Sequence, residues 1–236
     1  MTNLEGLVVG SLNKLQGFDT ADNVSLETAK KFYQDNYRFC LRYIPNSTYP
    51  PGNDLTEEEA KDILLGGLAL MVVQHVRGTH WIANGALGQQ DGEKAATWCQ
   101  NQVKLPPKVS VWCDLETMEN AKDHALVIDY CREWYHAVYN AGYTPGLYVG
   151  AGVKLSSEQL YDLPFQNYWK SVSSVPAVYE RGYQMVQNNS PHSANGFQKF
   201  GINIDENKTY IDNLLGRSQM LILPEFAEKL AKEHYQ

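Results

Sequence analysis

The sequence predicts an α/β fold, a single (β/α)8 TIM-type barrel that is degenerate in its later β/α units. Short apolar runs alternate with longer helical patterns along nearly the whole chain, which is typical of β/α units around a parallel sheet. Eight such runs can be counted, which is the number of strands in this kind of barrel. Barrels of 236 residues are routinely single domains, so we expect one domain over residues 1–236. An open doubly wound sheet is the alternative fold.

The eight predicted strands are short and apolar, and turn or helix signals bound them. They are Gln16–Asp19, Tyr37–Ile44, Leu68–His75, Lys108–Asp114, Thr144–Val149, Gln166–Lys170, Gly182–Gln187 and Phe200–Asp205. Helical patterns at 25–36, 56–66, 91–103 and 120–141 separate the first five strands. The later units are weaker, with a short helix at 155–161 and a polar loop at 188–196. The last pattern, at 224–234, predicts a helix that closes the outside of the barrel.

Charge and hydropathy exclude two classes of partner. The chain has 20 Lys and Arg against 27 Asp and Glu, a net charge of −7, and its basic residues are not clustered. We therefore expect no nucleic-acid partner. Its longest apolar stretches, such as 68–73, are far shorter than the roughly 20 residues that a membrane helix needs, so we expect no membrane partner.

The cysteines and the N-terminus indicate where the chain is made. The four cysteines are widely spaced, form no C-x-x-C pair and predict buried free thiols rather than disulfides. They are Cys40, Cys99, Cys113 and Cys131. Residues 1–17 lack the basic region of a signal peptide. We therefore expect synthesis and folding in the cytoplasm.

The strand at 108–116 has two chemically different faces. Alternate residues Ser110, Trp112, Asp114 and Glu116 share one face, opposite a wholly apolar one. The two acids then point into the barrel at the carboxyl end of the strand, where barrel enzymes keep their active sites. Two residues of strand separate their Cα atoms by about 6.6 Å, near the range in which two carboxylates act together. The alternative is an acidic cluster at the start of the next helix.

Two further predicted strands also end in an acid, Asp19 in the first and Asp205 in the eighth. The first and eighth strands are neighbours in a closed barrel, and the fourth lies across the mouth from them. We therefore expect Asp19, Asp205, Asp114 and Glu116 to surround one cleft, although each acid alone could be a solvated loop residue or a helix cap.

Aromatic and amide side chains lie at other strand ends. Aromatic rings stack on the C–H faces of sugars, and planar amides form paired hydrogen bonds with them, so these residues predict carbohydrate binding. The alternative for each one is packing in the core or at the rim. They are Tyr43, Gln74, Tyr148, Trp169 and Gln187.

Together these residues resemble the glycoside-hydrolase-like domain family once catalogued as domain of unknown function 1906, a relative of the family 25 lysozymes. The resemblance covers roughly residues 16–210. The matching pieces are Gly17-Phe18-Asp19-Thr20, Arg42-Tyr43, Leu55-Thr56 with Glu59-Ala60, Gly67-Leu68, Asp91-Gly92, Asp114-x-Glu116, Ala141-Gly142-Tyr143-x-Pro145-Gly146-Leu147-Tyr148, Trp169, Gln187 and Asp205.

The resemblance implies a site in which Glu116 matches the general acid, Asp114 the neighbouring carboxylate, and Asp19 and Asp205 the flanking acids. It implies a peptidoglycan substrate, cut between N-acetylmuramic acid and N-acetylglucosamine. A non-catalytic cell-wall binding module on the same barrel is the alternative, and a metal-dependent hydrolase that uses the same acids is a third.

Other motifs give no further chemistry, so we expect no metal and no cofactor. The six histidines form no H-E-x-x-H pair, and Gly150-Ala151-Gly152 is not a dinucleotide loop because Leu155 stands where the third glycine belongs. A wall hydrolase made in the cytoplasm needs delivery. We therefore expect a partner in phage lysis, such as a membrane pore, or a dedicated secretion machine.

Overall fold

A computed structural model describes residues 3–48, 52–188 and 197–234, in which strands alternate with helices for most of the chain. The strands are β1 (Leu7–Gly10), β2 (Gln16–Thr20), β3 (Phe39–Ile44), β4 (Ala69–Gln74), β5 (Ser110–Leu115), β6 (Thr144–Val149), β7 (Asn167–Lys170), β8 (Met185–Asn188), β9 (Phe197–Lys199), β10 (Ile202–Thr209) and β11 (Gln219–Ile222). The helices are α1 (Leu26–Gln34), α2 (Glu57–Leu65), α3 (Gly85–Trp98), α4 (His124–Asn140), α5 (Ser157–Tyr161) and α6 (Pro224–His234).

Eight strands close into a barrel, as the sequence predicts. β2 to β8 are parallel and follow one another in chain order. β10 completes the ring between β8 and β2, but it is antiparallel to both, so the prediction of a parallel eighth strand is wrong. A parallel return needs a crossover, usually a helix, and the polar sequence at 188–196 has no helical pattern. β10 also runs on to Thr209, beyond the predicted end at Asp205.

Side-chain alternation along the strands gives the barrel two separate cores. Inward-facing residues such as Leu41, Met71 and Trp112 fill its interior. Outward-facing residues such as Cys40 and Val111 pack beneath the helices. The parity of a residue near the end of a strand therefore decides whether its side chain reaches the barrel mouth.

Helix α3 begins earlier than the sequence predicts. It starts at Gly85, capped by the side chain of Asn84, rather than at Asp91. Glycines lower the helical signal of this segment, but they let α3 lie directly on α4, since a Cβ at Gly88 would stand 2.2 Å from the carbonyl oxygen of Tyr130. Close packing between the two helices therefore overrides low helix propensity.

The later β/α units are degenerate, as predicted. Between β6 and β7 stands only the short helix α5, and the described residues between β7 and β8 contain no helix. The predicted polar loop falls mostly on residues 189–196, which lie outside the described residues. Within the described ranges, no helix has the length and apolar character that a membrane span requires.

The C-terminal helix α6 covers the end of the barrel where β3 and β4 begin, rather than its outside. Leu230 and Phe226 join the interior cluster, and Glu233 pairs with Arg38 just before β3, 3.0 Å between Oε2 and Nε. The unpredicted strand β11 directs the helix there, because β11 pairs antiparallel with β1 and touches the start of β4 at Leu70. The predicted helix is therefore correct in extent and wrong in position.

All four cysteines are buried and free, as predicted. Burial raises the pKa of the thiols of Cys40, Cys99, Cys113 and Cys131, which keeps them protonated and unreactive. We expect a thiol reagent to label none of them in the native protein and all four in denaturant without reductant. Mass spectrometry of the labelled protein measures this, and fewer labels in denaturant would reveal disulfides.

Candidate active site

Two carboxylates lie together at the mouth of the barrel, at the carboxyl end of β5. Asp114 faces inward near the end of the strand and is 8% exposed. Half-buried Glu116 is the first residue after the strand. The backbone N–H of Val76 donates to the Asp114 carboxylate. One oxygen of that carboxylate, Asp114 Oδ1, has no hydrogen-bond partner among the described residues. A buried carboxylate oxygen without a donor is costly in a folded protein, so it indicates a place where a bound molecule completes the site.

The backbone at Glu116 is held in a fixed conformation. The indole N–H of Trp81 donates to the Glu116 carbonyl oxygen at 2.8 Å. The next residue, Thr117, has φ of +57°, which is strained for a β-branched residue, and its hydroxyl donates to the carbonyl oxygen of Gly78 at 2.6 Å. Such strain persists where surrounding contacts impose it, and it is common at active sites.

The turn after β6 supports the Glu116 side chain. The N–H of Ala151 donates to Glu116 Oε2 at 3.4 Å. Gly150 leaves the room for this approach, since a Cβ there would stand 2.7 Å from Glu116 Oε2. The Gly150-Ala151-Gly152 segment therefore serves the carboxylate pair, which the sequence pattern did not predict.

Asp19 and Asp205 lie side by side on β2 and β10, where the register pairs them directly. Asp19 is buried and accepts hydrogen bonds from Asn207 at 2.6 Å, Gln187 at 3.3 Å and Tyr43 at 3.4 Å. Burial and the neighbouring charge of Asp205 nevertheless raise the pKa of Asp19 to about 7. Both acids line an open cavity of about 200 Å³ at the mouth.

The four predicted acids share one electrostatic environment. Burial raises the pKa of Asp114, and the charges of Glu116 and Asp19 raise it further. Burial also raises the pKa of Glu116 and of Asp205. Burial raises the pKa of the Tyr148 phenol, and the charges of all four acids raise it further, so all four lie within electrostatic range of this side chain. Because neighbouring like charges disfavour simultaneous ionisation, the raised pKa values favour the protonated form of carboxyl groups in this site.

Three of the predicted sugar-contacting residues lie at the mouth. Tyr43 and Tyr148 are half-buried, so part of each side chain is open to the cleft. Gln187 links the two sides of the site, since its side chain accepts from the Tyr148 hydroxyl at 2.9 Å and donates to Asp19. The structure therefore brings Tyr43, Tyr148 and Gln187 into the acidic site.

The other two predicted residues have different positions. Trp169 faces into the barrel but is only 1% exposed, and its indole N–H donates to Asn207 Oδ1 at 2.8 Å, so it offers no free face for a sugar. Gln74 lies on the outer face of β4, where it accepts from the indole N–H of Trp134 at 2.7 Å and donates to two backbone carbonyls. Gln74 therefore does not reach the cleft, because its parity along β4 is opposite to that of the inward-facing Val73.

Sequence reasoning missed Asn207 and His75. Asn207 is buried and links Trp169 to Asp19, and it shares the inward parity of Asp205 along β10. Extending the eighth strand past Asp205 would have found it. His75 follows β4 and stacks on Tyr43, with ring centroids 4.5 Å apart. Among the described residues, at this site or any other, no group of three or more His, Cys, Asp or Glu side chains could hold a metal ion.

Comparison with known families identifies the domain. The profile of a family described as "Rv2525c-like, glycoside hydrolase-like domain" matches residues 30–215, well over half of the chain. The chain belongs to this family. The matched segment contains Asp114, Glu116 and Asp205 and begins after Asp19. The family resemblance predicted from the sequence is therefore confirmed.

Solved structures of the same fold include lysozyme-type enzymes. The CTP1L endolysin is 14% identical, with a TM-score of 0.57 over 92% of this chain and 70% of that chain. A family 25 glycosyl hydrolase from Bacillus anthracis is 15% identical, with a TM-score of 0.51 over 89% of this chain and 95% of that chain. The Cpl-1 endolysin, solved with a peptidoglycan analogue, is 13% identical, with a TM-score of 0.52 over 86% of this chain and 56% of that chain. At these identities the likeness shows the fold alone, and no curated protein sequence matches the chain.

Proposed function

We propose that this domain hydrolyses a glycosidic bond in a peptidoglycan-type glycan, in the manner of a lysozyme or muramidase. The observation that supports this most directly is the pair of carboxyl groups at the end of β5. Asp114 is buried with an unpartnered oxygen, Glu116 is open to the mouth, and the pKa of each is raised. Two acids with these properties on one strand end are what acid-catalysed glycoside cleavage requires.

The resemblance to the family 25 lysozymes gives the two carboxyl groups different roles. Glu116 matches the general acid of that family and is partly open to the mouth, so we assign it as the group that gives its proton to the glycosidic oxygen as the bond to the anomeric carbon breaks. Asp114 matches the neighbouring carboxylate, which in its ionised form stabilises the oxocarbenium-like transition state or orients the attacking nucleophile. Water then supplies the hydroxyl group of the product and returns a proton to the pair.

The proposed substrate follows from the family and from the mouth of the barrel. The structural relatives include a muramidase and an endolysin complexed with a peptidoglycan analogue. Tyr43 and Tyr148 offer partly open rings on which sugar C–H faces can stack, beside amide and carboxylate acceptors for sugar hydroxyls. We therefore propose a chain of N-acetylmuramic acid and N-acetylglucosamine as the glycan.

Delivery to the wall is part of the same proposal. The four free thiols are those of a protein that folds in a reducing compartment. We propose that the protein is made in the cytoplasm and reaches peptidoglycan through phage lysis or a dedicated secretion machine.

Incubation of the purified protein with cell-wall sacculi tests the activity. We expect new reducing ends to accumulate with time, at a rate unchanged by a chelator because the proposed chemistry uses carboxyl groups alone. Loss of activity in chelator would favour a metal-dependent hydrolase. Binding of muropeptides by calorimetry without any product would contradict hydrolysis and identify a non-catalytic wall-binding module.

A further inference from the structure

A second cavity lies at the end of the barrel opposite the acidic mouth. Its volume is about 460 Å³, within the range of small-molecule sites and larger than that of the mouth cavity. The segments that lead into β5, β6, β7 and β11 surround it. Its lining includes Lys108, Asn167, Arg181, Leu214, Leu215 and Arg217.

The cavity is positively charged in a protein of net charge −7. Three cationic side chains line it, and no acidic one does. Arg181 is buried and fixed, since its Nη1 donates to Asp212 at 2.7 Å and its Nη2 to Gln166 at 2.6 Å. Lys108 is exposed and Arg217 half-buried, and neither forms a side-chain ion pair with a described residue. Two positive charges are therefore available to a bound anion.

A buried amide adds a second requirement on the ligand. Asn167 lines the cavity and is only 3% exposed, yet its Oδ1 has no hydrogen-bond partner within the described chain. A buried acceptor of this kind is normally satisfied, and an O–H or N–H group on the ligand satisfies Asn167 Oδ1 once the amide turns towards the cavity. The charge and the amide together select a molecule that has both an oxyanion and a hydroxyl donor.

One wall of the cavity is apolar and conformationally strained. Leu214 and Leu215 are 47% and 79% exposed, and Leu215 has φ of +64°, which non-glycine residues rarely adopt. Exposed leucines beside unpaired cations offer contact to the carbon skeleton of a ligand. Strain of this kind is often stored at binding sites.

We propose that this cavity binds a small hydroxylated oxyanion, a polyol that carries a phosphate or a carboxylate group. Lys108 and Arg217 pair with the oxyanion, and Asn167 Oδ1 accepts a hydrogen bond from a ligand hydroxyl. The site lies at the other end of the barrel from the carboxylate pair, so it is independent of the proposed hydrolysis.

Calorimetry with two matched probes, glycerol 3-phosphate and glycerate, tests the site and tells phosphate from carboxylate. We expect saturable 1:1 binding of at least one probe. Lys108→Glu with Arg217→Glu should weaken it by about tenfold or more, because charge-assisted hydrogen bonds are lost and charge is reversed. Lys30→Glu, on the exposed face of α1, reverses one positive charge, as each substitution in the cavity does. Because Lys30 does not line the cavity, this control should leave binding unchanged.

Thermal unfolding of each variant controls for folding. If the double variant does not fold, Lys108→Gln alone, at an exposed position, should weaken binding by about threefold. The proposal is overturned if neither probe binds, or if the Lys108 and Arg217 variants bind as tightly as the wild type.

Discussion

Replacing Asp19 with Asn is expected to stabilise the protein by up to about 4 kcal/mol at pH 8 and to have no effect near pH 4. Burial and the charge of Asp205 raise the pKa of Asp19 from its ordinary value of 3.8 to about 7 in the folded protein. The folded state therefore holds this proton more tightly than the unfolded state does. Its stabilising contribution is present below pH 4 and is lost as the pH rises towards 7.

An Asn side chain can keep the hydrogen bonds that Asp19 makes. Its Oδ1 can accept from Asn207 and Gln187, and its amide group can donate to the Tyr43 hydroxyl oxygen. Denaturant unfolding from pH 4 to pH 8 measures the effect. Asp129→Asn, at an exposed position on α4, is the control and should shift stability by less than about 0.5 kcal/mol at any pH. If Asp19→Asn is less stable than the wild type at pH 8, the raised pKa of Asp19 in the folded protein is contradicted.

Replacing Arg42 with Met is expected to destabilise the fold by about 3–5 kcal/mol, because it leaves a buried carboxylate without its partner. Arg42 is completely buried and its Nε lies 2.6 Å from Glu59 Oε1, in a pair that joins β3 to α2. It also donates to the carbonyl oxygens of Thr20, at the end of β2, and Asn53. The pair therefore fixes the end of the strand that carries Asp19.

Two further variants separate the charge effect from lost packing. Arg42→Met combined with Glu59→Leu should recover part of the loss, since no buried charge is then left unpaired, although the N–H of Val24 and two backbone carbonyls lose their partners. Arg38→Met breaks the more exposed pair with Glu233 and should cost less than about 1 kcal/mol. Denaturant unfolding at pH 7 gives all three values. Equal costs for Arg42→Met and Arg38→Met would show that the buried pair does not hold the barrel mouth together.

Local sequence pattern predicted the strands and the acids well, because both depend on side-chain alternation. The wholly apolar opposite face of the segment at 108–116 fixed the parity of Asp114 and Glu116, and the structure places both at the mouth. The prediction that Gln74 reaches the cleft was wrong because a shift of one residue along a strand moves a side chain to the other face. Trp169 faces inward, but its depth inside the barrel depends on neighbours from other strands.

The direction of β10 could not be predicted locally. Its residues would alternate in the same way in a parallel or an antiparallel strand, and only pairing with β2 and β8 fixes its direction. Asp205 nevertheless reaches Asp19, since the antiparallel register pairs the two residues directly. Asn207 follows with the same parity, and it was missed because the predicted strand ended too early.

The rate of sacculus hydrolysis by Glu116→Gln, compared with Glu119→Gln, tests the central claim most directly. Glu119 is exposed and only three positions further along the chain, so it controls for loss of a nearby negative charge. General acid catalysis contributes roughly 10²- to 10⁴-fold, so Glu116→Gln should reduce the rate by that factor with unfolding temperature and muropeptide binding preserved. Glu119→Gln should retain the wild-type rate. Equal hydrolysis by the wild type and Glu116→Gln would contradict the assignment of Glu116 as the general acid.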